Sequence, residues 1–224
     1  MTDNLALLRL LQLVSPSLPV GAYAYSQGLE YALEAAWVQD ESSARDWIFG
    51  VLQHGLTYLD VPVFARLHQA WASNNTDSVQ YWNHYLFAAR ESAELQQEEQ
   101  HLGRALARLL YNQGMVAAQS WQHADRVCFA TLFTLAAVCW NISAPAAANG
   151  YLWSWTENQT MAATKLVPLG QTAAQRILSQ AQPFIVAAVN EGLTLDDADI
   201  TGALPGLALA SALHETQYSR LFRS

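Results

Sequence analysis

"VCFATLFTLAAVCWNISAPAAANGYLWSWT", residues 127–156, contains no Asp, Glu, Lys, Arg or His. A helix that is apolar all round is buried all round. The most apolar part, Val127 to Trp140, falls short of the ~20 residues that span a bilayer, so it predicts a core helix. "SAPAAANG" interrupts the run. Ser143 is placed to cap a second helix, and Pro145 falls in its first turn, where a missing N–H costs little. The stretch reads as two buried helices joined by a short turn.

Outward from it, helical signals continue in both directions. In "SARDWIFGVLQHGLTYL", Trp47/Ile48, Val51/Leu52, Gly55/Leu56 and Leu59 form one face of a helix, with Asp40 as a cap before it. In "LDVPVFARLHQAW", Asp60 is placed to cap and Pro62 to sit in the first turn. "SNNTD" is a loop, with Asp77 as the next cap and Gln80 imitating a capping box. A helical region follows from Ser78 toward Tyr111, with a break near Ser92 and a stop at Gly114. "GQTAAQRILSQAQPFIVAAVNEG" restarts with Thr172 as cap and stops at Gly192, and Pro183 is expected to kink or split it. Pro205 opens a last helix. No alternating strand pattern, repeat or linker-like shift in composition appears. The expected architecture is all-α: a single compact domain over residues 1–224, of about ten helices.

Composition narrows the function. The chain has 224 residues, enough for a substantial core, with 52% hydrophobic and only 13% charged residues. Typical domains carry roughly 25% charged residues. Interface cores are depleted of charge, so this deficit suits a chain partly covered by other proteins. Net charge is −8, Lys165 is the only lysine and the arginines are scattered, which argues against a nucleic-acid surface. An acidic chain also has no electrostatic attraction to anionic lipid. "MTDNLALLRLLQLV" lacks the basic start of a signal peptide. Cys128 and Cys139, on one helix, would stand roughly 16 Å apart at ~1.5 Å rise per residue, too far to bridge. Two separate buried thiols fit a cytoplasmic location.

Catalytic motifs are few. There is no P-loop, G-x-G-x-x-G, H-E-x-x-H or G-x-S-x-G pattern. Glu98 and His101 form a lone E-x-x-H, whereas di-metal bundles use two such pairs with two further carboxylates. His214 and Glu215 are adjacent, so their side chains diverge on a helix. "ESAELQQEE" could supply paired carboxylates, but its alternation with Gln reads as a solvated face. No catalytic residue and no metal ligand is assigned. An interaction protein is favoured; the alternative is a metal-dependent α-helical enzyme using Glu98, His101, His214 and Glu215.

Four blocks carry a resemblance. "SPSLPVGAYAYSQGLE", "RESAELQQEEQHLGRALARLL", "YLWSWTENQTMAATKLVPLGQTAAQRIL" and "HETQYSRLFRS" are similar, in order, to the signature blocks of the urease accessory protein F family. The resemblance implies an all-α, often dimeric urease maturation factor, not an enzyme. It implies a complex with accessory protein D or H and the GTPase accessory protein G, which inserts nickel into apo-urease with coupled or gated GTP hydrolysis. It implies no cofactor of the chain's own: nickel and GTP are handled by partners.

Within these blocks, residues stand out as candidate partner contacts. Pro16 and Pro19 fix φ, Gly21 permits a tight turn, and Tyr23, Ser26, Gln27 and Glu30 follow on successive helix faces, Gln27 and Glu30 as exposed members. Tyr25 and Leu29, four apart, read as core. Glu157, Lys165, Gln171 and Arg176 are polar groups in an apolar context, and Lys165 or Arg176 could meet the GTPase. Tyr218, Arg220, Leu221, Phe222 and Arg223 lie in the closing segment 215–224. Its large apolar residues are costly to leave in water, so it is read as a mobile segment that docks on the D/H-type partner.

Overall fold

The structure, a computed structural model, describes residues 4–224. Its α-helices are α1 (Asn4–Leu13), α2 (Leu29–Glu34), α3 (Glu41–Val51), α4 (Asp60–Ala72), α5 (Thr76–Ala88), α6 (Ala93–Asn112), α7 (Phe129–Cys139), α8 (Ala144–Leu166), α9 (Gln171–Gly192) and α10 (Pro205–His214). A π-helical turn at Leu52–Leu56 and 3₁₀ turns at Ala22–Ala24, Val116–His123 and Asp197–Asp199 lie between them. Among the described residues there is no strand, and no helix is long and apolar enough to cross a membrane.

The charge-free stretch does form two helices, α7 and α8, joined by a four-residue turn. Helix α7 packs on α4 and α6, and α8 lies along α9. Leu132, Phe133, Ala136, Ala137 and Leu152 have no exposed surface. The rings of Phe64, Phe133 and Tyr151 meet with centroids 5.3–5.8 Å apart, within the range of favourable aromatic contact. Cys128 is buried with them, but Cys139 ends α7 at the surface, so the expected pair of buried thiols is one buried and one exposed. A second, smaller apolar cluster joins Leu29 and Ala32 of α2, Val38, Ala44 of α3, Ala162, Ala163 and Val167 at the end of α8, and Phe222.

Local signals held at two helix starts. Asp40 caps α3, accepting from the Ser43 N–H at 2.8 Å in a reciprocal capping box. Those hydrogen bonds hold its carboxyl down at about 2. Ser92 caps α6, giving the break between α5 and α6. Elsewhere tertiary structure overrides them. Asp60 does not cap: it lies inside α4, buried, and pairs with Arg90. Asn75, not Asp77, caps α5, and Gly170, not Thr172, precedes α9. Pro183 does not split α9. It and Ser179 are exposed, so the carbonyl deprived of its N–H partner faces water.

Two glycines shape the approach to the site. Gly21 turns the chain with φ +84° ahead of the Ala22–Ala24 turn. Gly28, at φ +78°, precedes α2, and a Cβ there would lie 2.9 Å from Ser211 N and 3.0 Å from Ala210 Cβ. Helix α10 therefore rests directly on the backbone before α2, which brings His214 beside Glu30.

Candidate protein-interaction site

Three glutamates of α6 organise this end of the molecule. Glu94, Glu98 and Glu99 are all buried, which corrects their reading as a solvated face. The signal was present in the spacing. Glu94/Leu95, Glu98/Glu99, Leu102/Gly103 and Leu106/Ala107 form one stripe of paired positions, and all of it is buried. Composition suggested water; periodicity placed these residues inside.

Each carboxylate has its own partners. Glu99 accepts from Arg90 Nε (2.8 Å) and Nη2 (2.6 Å), and its other oxygen accepts the Phe129 N–H (2.8 Å) at the start of α7. A carboxylate at a helix N-terminus is favourably placed. Arg90 also donates to Asp60 at 2.6 and 3.1 Å, and Asp60 accepts from the Tyr151 hydroxyl at 3.0 Å. Burial and the neighbouring carboxylates push the Tyr151 hydroxyl well above its usual range. This network ties α4, α6, α7 and α8 together inside the main core.

Glu98 accepts from Gln27 Nε2 at 2.9 Å and from Ser224 Oγ at 3.3 Å. Burial lifts its carboxyl to about 8, against the hydrogen bond from Gln27. Gln27 is fully engaged: its amide oxygen accepts from Trp155 Nε1 at 2.8 Å, and its backbone N–H reaches Ser224 Oγ. Glu94 faces Arg220 Nη1 at 2.8 Å and His214 Nδ1 at 2.7 Å. His214 Nε2 lies 3.1 Å from Glu30, which also accepts the N–H groups of Leu221 (2.6 Å) and Phe222 (2.9 Å).

The closing segment is thus laid along the opening one. Arg223 N–H donates to the Ala24 carbonyl at 2.8 Å, and Ser26 N–H and Oγ both donate to the Ser224 carbonyl. Phe222 is buried in the second apolar cluster, while Tyr218 and Leu221 stay exposed. Lys165, near the end of α8, holds its Nζ 5.9 Å from the Tyr23 ring and 5.4 Å from the Phe222 ring.

The candidate contacts therefore divide. Tyr23, Lys165, Tyr218, Arg220, Leu221 and Arg223 are exposed and share this end of the molecule. Ser26, Glu30 and Phe222 are buried within the chain, and Gln27 is half-buried, which corrects the exposure expected of Gln27 and Glu30. They build the platform under the exposed residues. Gln171 and Arg176 lie apart at the start of α9, where Arg176 is paired with Glu41 at 2.6 Å. Glu157 and Lys165 border a cavity of about 240 Å³ lined by Leu13, Val20, Tyr23 and Trp155, with Glu98 and Arg90 also in its wall.

The four residues of the enzyme alternative do not converge. Glu98 faces Gln27, exposed His101 accepts from or donates to the Tyr25 hydroxyl at 2.7 Å, His214 lies between Glu30 and Glu94, and Glu215 accepts from the Ala93 N–H. Among the described residues no group of three or more His, Cys, Asp or Glu side chains is arranged to hold a metal ion.

The chain is similar to known proteins over nearly its whole length. The UreF family model matches residues 38–182. The urease accessory protein UreF of Alkalilimnicola ehrlichii is 51% identical over 99% of this chain and 97% of its own length. Those of Chromohalobacter salexigens and Hahella chejuensis are 52% and 47% identical, over 99% and 98% of this chain and 96% and 99% of theirs.

Proposed function

The chain belongs to the UreF family of urease accessory proteins, and on that premise we propose that it matures urease as a non-enzymatic member of a protein complex. The proposed partners are a D/H-type accessory protein, the GTPase accessory protein G and, through them, apo-urease. In this reading the complex inserts nickel, the GTPase hydrolyses the nucleotide, and this chain, acting as a homodimer in the cytoplasm, couples or gates that hydrolysis. It holds neither nickel nor GTP as a resident cofactor.

One observation supports this most. Lys165, the only lysine, sits over both Tyr23 and Phe222, so the opening segment, the end of α8 and the closing segment make one exposed surface. The reactive-looking groups beneath it are spent on internal hydrogen bonds. Exposed aromatic and cationic residues over a rigid base suit a protein contact.

The test is co-purification with the D/H-type protein, comparing the full chain with one ending before Tyr218. Retention of the full chain and loss of the shortened one supports the reading; equal retention overturns the role of the closing segment. GTP turnover by the GTPase, measured in the complex with and without this chain, then separates a regulator, which changes the rate, from a passive scaffold, which does not.

A further inference from the structure

The cavity of about 240 Å³ that Tyr23 and Lys165 border is mostly apolar inside. Leu13 ends α1, Val20 precedes α2, Leu102 comes from α6, Phe129 starts α7 and Trp155 comes from α8. Sites for drug-sized ligands run to roughly 300–1,000 Å³. This one is smaller and suits a single bulky side chain. Tyr23 and Met161 line it and are themselves exposed, so its mouth has an apolar rim. Exposed Tyr and Met around an opening are the composition of a protein contact.

The polar groups of the wall are nearly all committed. Arg90 is held by Asp60 and Glu99, and Asp60 also takes the Tyr151 hydroxyl. Glu98 holds Gln27, and Gln27 holds Trp155. Ser154 donates to the Tyr151 carbonyl and Asn158 to the Tyr25 carbonyl. Lys165 lies over two rings and stands two turns of α8 beyond Glu157, about 12 Å by helix rise. Glu157 is the one carboxylate of the wall with neither hydrogen bond nor ion pair among the described residues. It is half-buried, and burial raises its carboxyl. A cation beside it would remove that cost. The charges agree: Asp60, Glu99 and Glu157 stand against Arg90 and Lys165, which leaves a negative excess even with Glu98 neutral.

We propose that this cavity receives an anchor from a partner protein: a large apolar side chain enters it, and a lysine or arginine next to that side chain in the partner's sequence pairs with Glu157. The inference rests on the proposed role of this end of the molecule as a protein contact, and adds the chemistry of what it grips.

The full-length chain with ¹³C-methyl methionine tests this by NMR. Met161 lines the cavity and Met115 does not, so one methyl reports occupancy and the other controls for general effects. The probes are the dipeptide amides N-acetyl-Phe-Lys, N-acetyl-Phe-Glu and N-acetyl-Ala-Lys. Phe-Lys should shift the Met161 methyl saturably, with Met115 unmoved, and should bind about fivefold more tightly than either of the others. Glu157→Gln should bring Phe-Lys and Phe-Glu within about twofold of each other. No saturable shift at Met161, equal binding of the three probes, or an unchanged preference in E157Q overturns the proposal. So does a Met161 methyl that moves with the concentration of the chain alone, which would assign the cavity to a second copy. If E157Q does not fold, the wild-type preference decides alone. Co-purification with the D/H-type protein keeps the anchor apart from the reading it rests on. Failure of the wild-type chain to retain that protein removes the reading and leaves the dipeptide result to decide the anchor. Retention by the wild type and by Glu157→Lys alike removes the anchor.

Discussion

The main core and the small cluster around Phe222 are both buried, but they are held differently. In the main core, α7 and α8 bring surfaces with no charged residue from 127 to 156, and apolar packing surrounds one ionic network at Arg90 and a neutral one at Asn83. In the small cluster, few apolar side chains meet, and two buried carboxylates, Glu30 and Glu94, fasten the closing segment with three hydrogen bonds and hold the His214 ring with two more. The first arrangement depends mainly on area and shape. The second depends on a handful of donors, so it is local.

The largest effect should come from breaking the ionic network inside the main core. Arg90→Ala leaves Asp60 and Glu99 buried and uncompensated. Removing one partner of a buried ionic set costs about 3–5 kcal/mol. Denaturant unfolding should show that loss for the whole chain. A change under 1 kcal/mol would mean that Arg90 is no more integral to the core than a surface residue.

Phe222→Ala attacks the other region. Full burial of a Phe side chain contributes about 1.5–3 kcal/mol, so the closing segment should lift while the global transition hardly moves. Protease sensitivity after His214, read against the melting temperature, checks both halves of this prediction. If the whole chain loses stability by the same amount, the two regions are one cooperative unit and the contrast drawn above fails.

This contrast also explains how much the sequence revealed. The helices, the charge-free pair α7–α8, the Asp40 cap and the break at Ser92 depend on residues close in the chain, and all were readable. Asp60 was misread as a cap because its true partner, Arg90, is 30 positions away. The platform was harder still. Gln27 meets Glu98 across 71 positions, Glu30 meets His214 across 184, and Ser26 meets Ser224 across 198. The spacing on α6 carries the signal for which face is inside, but the composition around Glu94, Glu98 and Glu99 reads as a solvated face and hides it. The spacing does not say which distant donor will satisfy them, so the residues expected to reach outward, Ser26, Gln27 and Glu30, proved to be spent inside the chain.

Glu98→Gln probes the joint between the regions, with an effect of smaller size and opposite sign. The Glu98 carboxyl stands at about 8 in the fold against an ordinary 4.5. Below both values the carboxyl is protonated in folded and unfolded chains, and its contribution is whole. As pH rises, the unfolded chain ionises first, so stability falls between about 4.5 and 8 and levels off above. Gln keeps the hydrogen-bonding shape without the titration. E98Q should match the wild type near pH 4.5 and exceed it at pH 8, by on the order of 1 kcal/mol once relaxation around the site is allowed for. Melting curves at both pH values suffice. Parallel wild-type and E98Q profiles would show that the glutamate is not held neutral by burial.

Arg176→Ala should have the smallest effect on stability. Its pair with Glu41 is exposed on both sides, and exposed pairs contribute little because water and salt screen them. The melting temperature should not shift measurably. The same substitution is informative about binding, because Arg176 lies at the start of α9, apart from the surface formed by Tyr23, Lys165 and the closing segment. If that surface alone meets the partners, R176A should co-purify with the D/H-type protein as well as the wild type does, while Lys165→Ala should not. Equal losses from both would extend the contact area to α9. An Arg176 variant that unfolds would overturn the reading of this exposed pair as a minor contribution.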